Sequence, residues 1–221
     1  MVLSPLAGAG TSCPAPFNDS GSATFYDATG GFNACTLDIG NGLVAAINDA
    51  QWDGSARCGE CLRVTGPEGT VLVRVTDRCV GCAEGDLDLS EPAFDAIADP
   101  VQGIVPISWE RVECPVSGPV AYRFQGSNSF FYKIQVRDHR YGVASMAYRS
   151  GGSFVPMNRV SDNHFQASGV PNLSVAVVRI TATTGESLID TLGDPSQTGV
   201  IAGAAQFAPC DGVFVDGFES S

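Results

Sequence analysis

The stretch CGECLRVTGPEGTVLVRVTDRCVGC, from Cys58 to Cys82, carries two C-x-x-C pairs separated by seventeen residues. Four thiolates at that spacing could hold a tetrahedral zinc ion, as a zinc ribbon does. Oxidised, the same sulfurs would be disulfide staples. The whole chain has eight cysteines: Cys13, Cys35, Cys58, Cys61, Cys79, Cys82, Cys114 and Cys210. A zinc ribbon would leave four of them without a role, whereas an oxidised extracellular chain uses all eight as four bridges. The residues between the pairs end in GTVLVRVTD, a strand pattern with Val71, Val73 and Val75 on one face, rather than the short turns of two knuckles. Disulfides are therefore expected, and no metal.

Two carboxylates follow the same strand. Asp77 closes it in VTDRC, and Asp88 lies eleven residues later in GDLDLS. Acids at strand ends flanking a turn can converge on one cleft. There they can accept hydrogen bonds from sugar hydroxyls, and a carboxyl kept protonated can donate to a bridging oxygen. The competing reading is that each is a turn or capping residue, a common place for Asp. The chain has no G-x-S-x-G, no H-E-x-x-H and no phosphate loop. His139 and His164, in VRDHRYG and DNHFQ, read as structural residues, and no cofactor is expected.

The elements that must hold these groups are short strands. The 221 residues are 44% apolar, enough for a core, with 26 Gly and 13 Pro marking many turns and few long helices. The net charge of −12 would repel a phosphate backbone, so nucleic-acid binding is not expected. No run reaches eighteen apolar residues, so no membrane helix is expected. The start, MVLSPLAGAGTSC, lacks the basic and apolar regions of an intact leader. Either the protein is cytosolic or a leader has already been removed, and the cysteine usage points to the second: a secreted, extracellular protein, expected to be a monomer.

Along the chain, GSATFYD leads, and CLRVTG and TVLVRVTD form a hairpin across Pro67-Glu68-Gly69. LDLSEPAFDAIADP reads as a helix that Ser90 can cap, with Pro92 in its first turn and Phe94 and Ile97 on one face. GIVPISWERVEC closes this half. The Pro/Gly stretch CPVSGPV is the best boundary, and beyond it strand candidates recur: AYRFQG, FFYKIQVRD, VASMAYRS, NLSVAVVRITAT and SLIDTL. Tyr132, Ile134 and Val136 alternate with Lys133, Gln135 and Arg137, and Leu173, Val175 and Val177 alternate in the same way. This is the pattern of a β-sandwich. The fold class is all-β, divided into a tail (1–20), a first domain (21–115), a second domain (116–209) and an acidic C-terminal tail (210–221).

The ordered motifs GSATFYD, CGECLRVTGPEG, VTDRC, GDLDLS and SWERVEC, followed by AYRFQGSNSFFYKIQVRDHRYGV and DNHF, resemble the bacterial expansins over about residues 21–208. The first half is also similar to barwin-like defence domains, especially through CGECLRVTGPEG. The resemblance implies a six-stranded double-psi β-barrel joined by a short linker to an immunoglobulin-like β-sandwich that binds polysaccharide. It also implies loosening of plant cell walls by disturbing contacts between cellulose or associated glucans and other wall polymers, without hydrolysis. By the same resemblance Cys35 pairs with Cys58, and Cys61 with Cys114. Cys79 and Cys82, in a glycine-containing turn, could bridge each other, and Cys13 could then tie the tail to Cys210; the pairing of these four stays open.

On matching motif positions, Asp77, Asp88 and Thr24 correspond to residues of the expansin groove, with Tyr26 as a neighbour. Family-45 glycoside hydrolases share the barrel and keep a general base near its first strand. Asp27 lies close to that place, which keeps a hydrolase or lytic transglycosylase as one alternative; a barwin-like carbohydrate-binding defence protein is the other. Cys79 stands where simple bacterial expansins carry a tyrosine. Phe130 and Phe131 stand where the resembled module has two tryptophans, and Asp162 stands where a further tyrosine would complete an aromatic row. Exposed rings grip flat polysaccharide by stacking. Adjacent residues of one strand face opposite ways, so presenting both rings needs a bulge or loop. Basic expansins adhere to anionic pectin, and a chain at −12 is expected to be repelled from it at low salt.

Overall fold

Val71, Val73 and Val75 are buried together, as their alternation requires, and the strand that carries them is part of a closed sheet. The structure, a computed structural model, describes residues 13–40 and 42–210. The readings made for residues 1–12 and for the acidic end 211–221 lie outside the described residues. Strands β1 (Asn18–Tyr26), β2 (Val44–Asn48), β3 (Cys61–Thr65), β4 (Thr70–Cys79), β5 (Leu87–Ser90) and β6 (Val105–Val112) close a barrel in the order β1-β5-β2-β4-β3-β6. β1 runs parallel to β5 and β2 parallel to β4, while the other neighbours are antiparallel. This is the six-stranded double-psi barrel. Its interior is filled by the three valines together with Leu62, Leu87, Leu89 and Trp109.

β2 (VAAIN), which had no signal in the sequence, lies between β4 and β5 and shows no alternation, since all five of its residues are buried. Helix α1 (Glu91–Asp95) begins after Ser90, but the Ser90 hydroxyl does not cap it. That hydroxyl donates to the Gly42 carbonyl (2.6 Å) and accepts from the Val44 N–H (3.2 Å), pinning β5 to the entry of β2. Phe94 from the helix packs against Phe25 with ring centroids 4.9 Å apart.

The second half is the predicted sandwich. β7 (Ala121–Phe124), β8 (Phe131–Arg137), β9 (Val143–Ser150), β10 (Ser153–Pro156), β11 (Asn158–Val160), β12 (His164–Ser168), β13 (Ala176–Ala182), β14 (Ser187–Gly193) and β15 (Val200–Ala202) form two sheets, ordered β10-β9-β13-β14 and β11-β12-β8-β7-β15. Tyr132, Ile134 and Val136 face the core, with Tyr132 edge-on to Tyr148 at 5.6 Å. The Leu173, Val175, Val177 alternation runs in the opposite phase. Val175 is exposed, and Ala176, Val178 and Ile180 are the buried set. β13 starts only at Ala176, so Leu173 and Val175 belong to the loop before the strand and do not set its phase.

All eight cysteines are oxidised, as Cys13–Cys210, Cys35–Cys58, Cys61–Cys114 and Cys79–Cys82. Cys61–Cys114 closes a loop of 53 residues, worth about 4 kcal/mol through the entropy of the unfolded chain. The short Cys79–Cys82 loop restricts little beyond its own turn.

The sheet containing β8 turns its outer face to the barrel. Gln135 Nε2 donates to the Cys35 carbonyl (2.9 Å) and to Thr36 Oγ1 (2.7 Å), and Asn163 Nδ2 donates to the same carbonyl (3.2 Å). Arg137 pairs with Asp38, and the Ser55 hydroxyl donates to the Val160 carbonyl (2.9 Å). Deeper in this seam Glu60 is almost fully buried, 3.1 Å from Arg111. Burial pushes its carboxyl upward, opposed by the charges of Arg111 and Arg57. Both histidines are buried here or nearby, and each Nδ1–H donates to a backbone carbonyl at 2.8 Å: His139 to Tyr141, His164 to Asp162. Burial, then the nearby Arg74 charge, push His139 down to about 3, so it stays neutral. Gly142 lies so close to Glu60 that a Cβ there would sit 2.1 Å from its Oε1. Gly142→Ala should therefore destabilise the protein by about 1–3 kcal/mol in urea unfolding, the usual cost of overpacking. An unchanged midpoint would show that the seam yields without loss.

Candidate functional site

The valine alternation of β4, continued, would send Asp77 into the barrel interior. The register prevents it. Ala45 lies opposite Val75 and Ala46 opposite Asp77, so Thr76 is an extra residue in a β-bulge. A bulge of this kind re-aims the side chains that follow it. Ala46 also pairs with Asp88 on β5, and Asp88 with Thr24 on β1. The outcome is one row across four strands, Asp77–Ala46–Asp88–Thr24, on the face away from the core residues Ala45, Val75, Leu87 and Leu89. Asp77 and Asp88 sit two strands apart, roughly 10 Å between their Cα atoms. Ala46 puts only a methyl group between them.

Each carboxylate in the row is held differently. Asp77 Oδ1 accepts from the backbone N–H groups of Ala34 and Arg78, both at 2.8 Å. Asp88 Oδ1 accepts from the Thr24 hydroxyl at 2.6 Å. Half-burial pushes the Asp88 carboxyl up; the Thr24 hydrogen bond opposes this and the Asp77 charge adds to it. Tyr26, two residues beyond Thr24 on the same strand face, is pushed up to about 12, by burial first and then by the charge of Asp77. The phenol therefore remains a donor beside two acids. Such a row offers acceptors and donors to the hydroxyls of a sugar chain, and one acid whose protonated form is favoured by its surroundings.

Asp27 stands apart in its bonding. It caps the 3-10 turn Ala28–Gly30, and its Oδ1 accepts from both the backbone N–H (2.8 Å) and the hydroxyl (2.5 Å) of Thr29. The Thr29 hydroxyl, then its N–H, hold this exposed carboxyl below the usual carboxylate range. It is a turn cap, with one oxygen committed. Cys79, bridged to Cys82, follows Asp77 on the same face of β4, so a rigid turn bounds the row at that end.

Phe130 and Phe131 are not consecutive members of one regular strand. A bridge pairs Asn128 with Phe131, the Phe130 N–H donates to Asn128 Oδ1 (2.8 Å), and β8 begins at Phe131. Phe130 is 58% exposed at this turn, whereas Phe131 is half-buried. Phe131 shares the face of Lys133, Gln135 and Arg137, the face that meets the barrel. Lys133 Nζ is 2.6 Å from Asp162 Oδ2, so an ion pair occupies the place expected of a third ring.

Ala46 and Ala34 had no signal in the sequence as site residues. Ala46 matters through register and Ala34 through its backbone N–H, and neither property shows in residue type. Among the described residues no cluster of His, Cys, Asp or Glu is arranged to hold a metal ion.

A family model described as lytic transglycolase matches residues 18–109. Expansin-YoaJ of Bacillus subtilis is 35% identical over 161 residues, covering 71% of this chain and 69% of that protein. Expansin-like protein 5 of Dictyostelium discoideum is 28% identical over 202 residues, 85% of this chain and 84% of its own. Among solved structures, the Clavibacter michiganensis expansin without ligand superposes with a TM-score of 0.82 at 29% identity, covering 87% of this chain and 99% of that one. A mutant of that expansin, solved in complex with cellohexaose, superposes with a TM-score of 0.81 over the same shares. Two joined β domains, the matched barrel and a relative aligned across most of its length lead to one conclusion: this chain belongs to the expansin family.

Proposed function

We propose that this protein is a secreted expansin that binds plant cell-wall polysaccharide, cellulose or associated glucans, and loosens it without cutting it. The observation that carries the reading is the row Asp77–Ala46–Asp88–Thr24 with Tyr26 beside it. It presents acceptors and donors suited to sugar hydroxyls on the outside of a rigid barrel. The cellohexaose bound by the related Clavibacter protein supports a β-glucan as ligand. Four disulfides support an oxidising, extracellular location. Phe130 and Phe131 are the rings that would stack on the polymer, and the seam keeps their distance from the row constant.

Non-hydrolytic action rests on Asp27. Inversion needs a second carboxylate free to activate water on the far side of the sugar. Asp27 is the candidate from its place in the sequence, and both Thr29 donors occupy one of its oxygens. The hydrolase or lytic transglycosylase alternative draws on Asp88, whose raised pKa suits a general acid.

Three outcomes follow from this reading. No reducing sugar should be released from cellulose or xyloglucan; release that disappears in Asp88→Asn would establish the hydrolase instead. Asp88→Asn keeps an acceptor for Thr24 and removes a half-buried charge. It should fold with undiminished thermal stability yet lose most extension of a clamped plant wall, and full extension by this variant would remove Asp88 from the function. Phe130→Ala should weaken retention on crystalline cellulose by about threefold or more, the loss of one stacked ring, with Phe131→Ala smaller. Equal retention of both variants and the wild type would eliminate the platform.

A further inference from the structure

A second concavity lies on the other side of segment 37–40, where the barrel meets the sandwich. Its volume is about 430 Å³, within the range of small-molecule sites. Barrel residues Leu43, Leu72 and Arg74, linker residue Pro115, and sandwich residues Arg137 and Val200 all line it. None belongs to the Asp77–Asp88 row or to the phenylalanine turn.

The cleft joins two unlike kinds of surface. Leu72 and Val200 are large apolar side chains left 36% and 56% exposed along it. Behind them are two guanidinium groups. Arg137 is nearly buried and pairs with Asp38, whose own side chain is 83% exposed. The carboxylate nearest Arg74 among the described residues is Asp138, at 3.7 Å, outside hydrogen-bond range, and its side chain is also largely exposed. Burial lowers the Arg74 pKa; the Asp138 charge opposes this, and the smaller Arg137 contribution adds to it. Arg137 is thus committed to Asp38 and Gln135, whereas Arg74 has no hydrogen-bonded carboxylate among the described residues, and both acids of the cleft stand largely in water, where they are screened. A sugar would leave hydroxyls facing leucine, valine and proline without partners. A guanidinium fork matches a carboxylate, and its plane also stacks on aromatic rings.

We propose that this interdomain cleft binds a small aromatic carboxylate of the size and kind of cinnamate, with its carboxylate on Arg74 beside Arg137 and its ring against Leu72, Leu43 and Pro115. The site is separate from the polysaccharide row, so the two ligands do not compete.

Titration of the whole protein with cinnamate, cinnamyl alcohol and glucuronate, followed by calorimetry and by amide chemical shifts, tests this. Cinnamate should bind and shift the amides of Leu72, Arg74 and Arg137. The alcohol, lacking the charge, and glucuronate, lacking the apolar body, should each bind at least about tenfold more weakly. Arg74→Gln should weaken cinnamate by a similar factor. Leu72→Asp, a change at the exposed rim that does not depend on the seam, should do the same and leave cellulose retention unaltered. Equal binding of acid and alcohol, glucuronate binding better than cinnamate, shifts confined to other regions, or unchanged cinnamate affinity in folded Leu72→Asp would each overturn the assignment.

Discussion

Segment 33–38 is the constraint on which the rest of the molecule depends. Its Ala34 N–H holds Asp77. The Cys35 N–H donates to the Thr76 carbonyl at the bulge, and the Cys35 sulfur is bridged to Cys58. The Cys35 carbonyl accepts from Gln135 and Asn163 of the sandwich, and Asp38 pairs with Arg137. One short piece of backbone therefore fixes the bulge, orients a carboxylate and docks the second domain. Loosening it would move all three together, because no other described hydrogen bond joins the row to the sandwich so directly.

The bulge decides where the chemistry can lie. An extra residue at Thr76 converts an inward position into an outward one, and this lets an acid follow three core valines without burying its charge. Asp88 reaches the same row by ordinary alternation, between Leu87 and Leu89. The two acids differ in what surrounds them. Asp77 is stabilised by two backbone N–H groups, whereas Asp88 has a single hydroxyl and a half-buried site. Environment, rather than residue type, sets them apart.

The seam gives the acidic row and the phenylalanine turn a fixed relation. Polar residues on the outer face of β8, which would ordinarily meet water, are consumed by the barrel: Gln135 and Arg137 bind it, while Phe131 and Lys133 extend the same face outward. Tight contacts at Gly142 and Gly59, against Glu60 and His139, leave the seam little room for other arrangements.

Local chemistry was legible in the residues alone. Eight cysteines meant bridges, and the valine and tyrosine–isoleucine–valine alternations marked two cores. Those signals work because periodicity and redox chemistry act within a few residues. What only the tertiary structure decided is long-range: the placement of β2 between β4 and β5, the outward turn of Asp77, the buried phase of β13, the engagement of the Ser90 hydroxyl by Gly42 and Val44, and the seam that buries Glu60 and His139. Each depends on which strand lies beside which and in what register. Cross-strand hydrogen bonds and packing between distant segments settle that, and no window of neighbouring residues contains them.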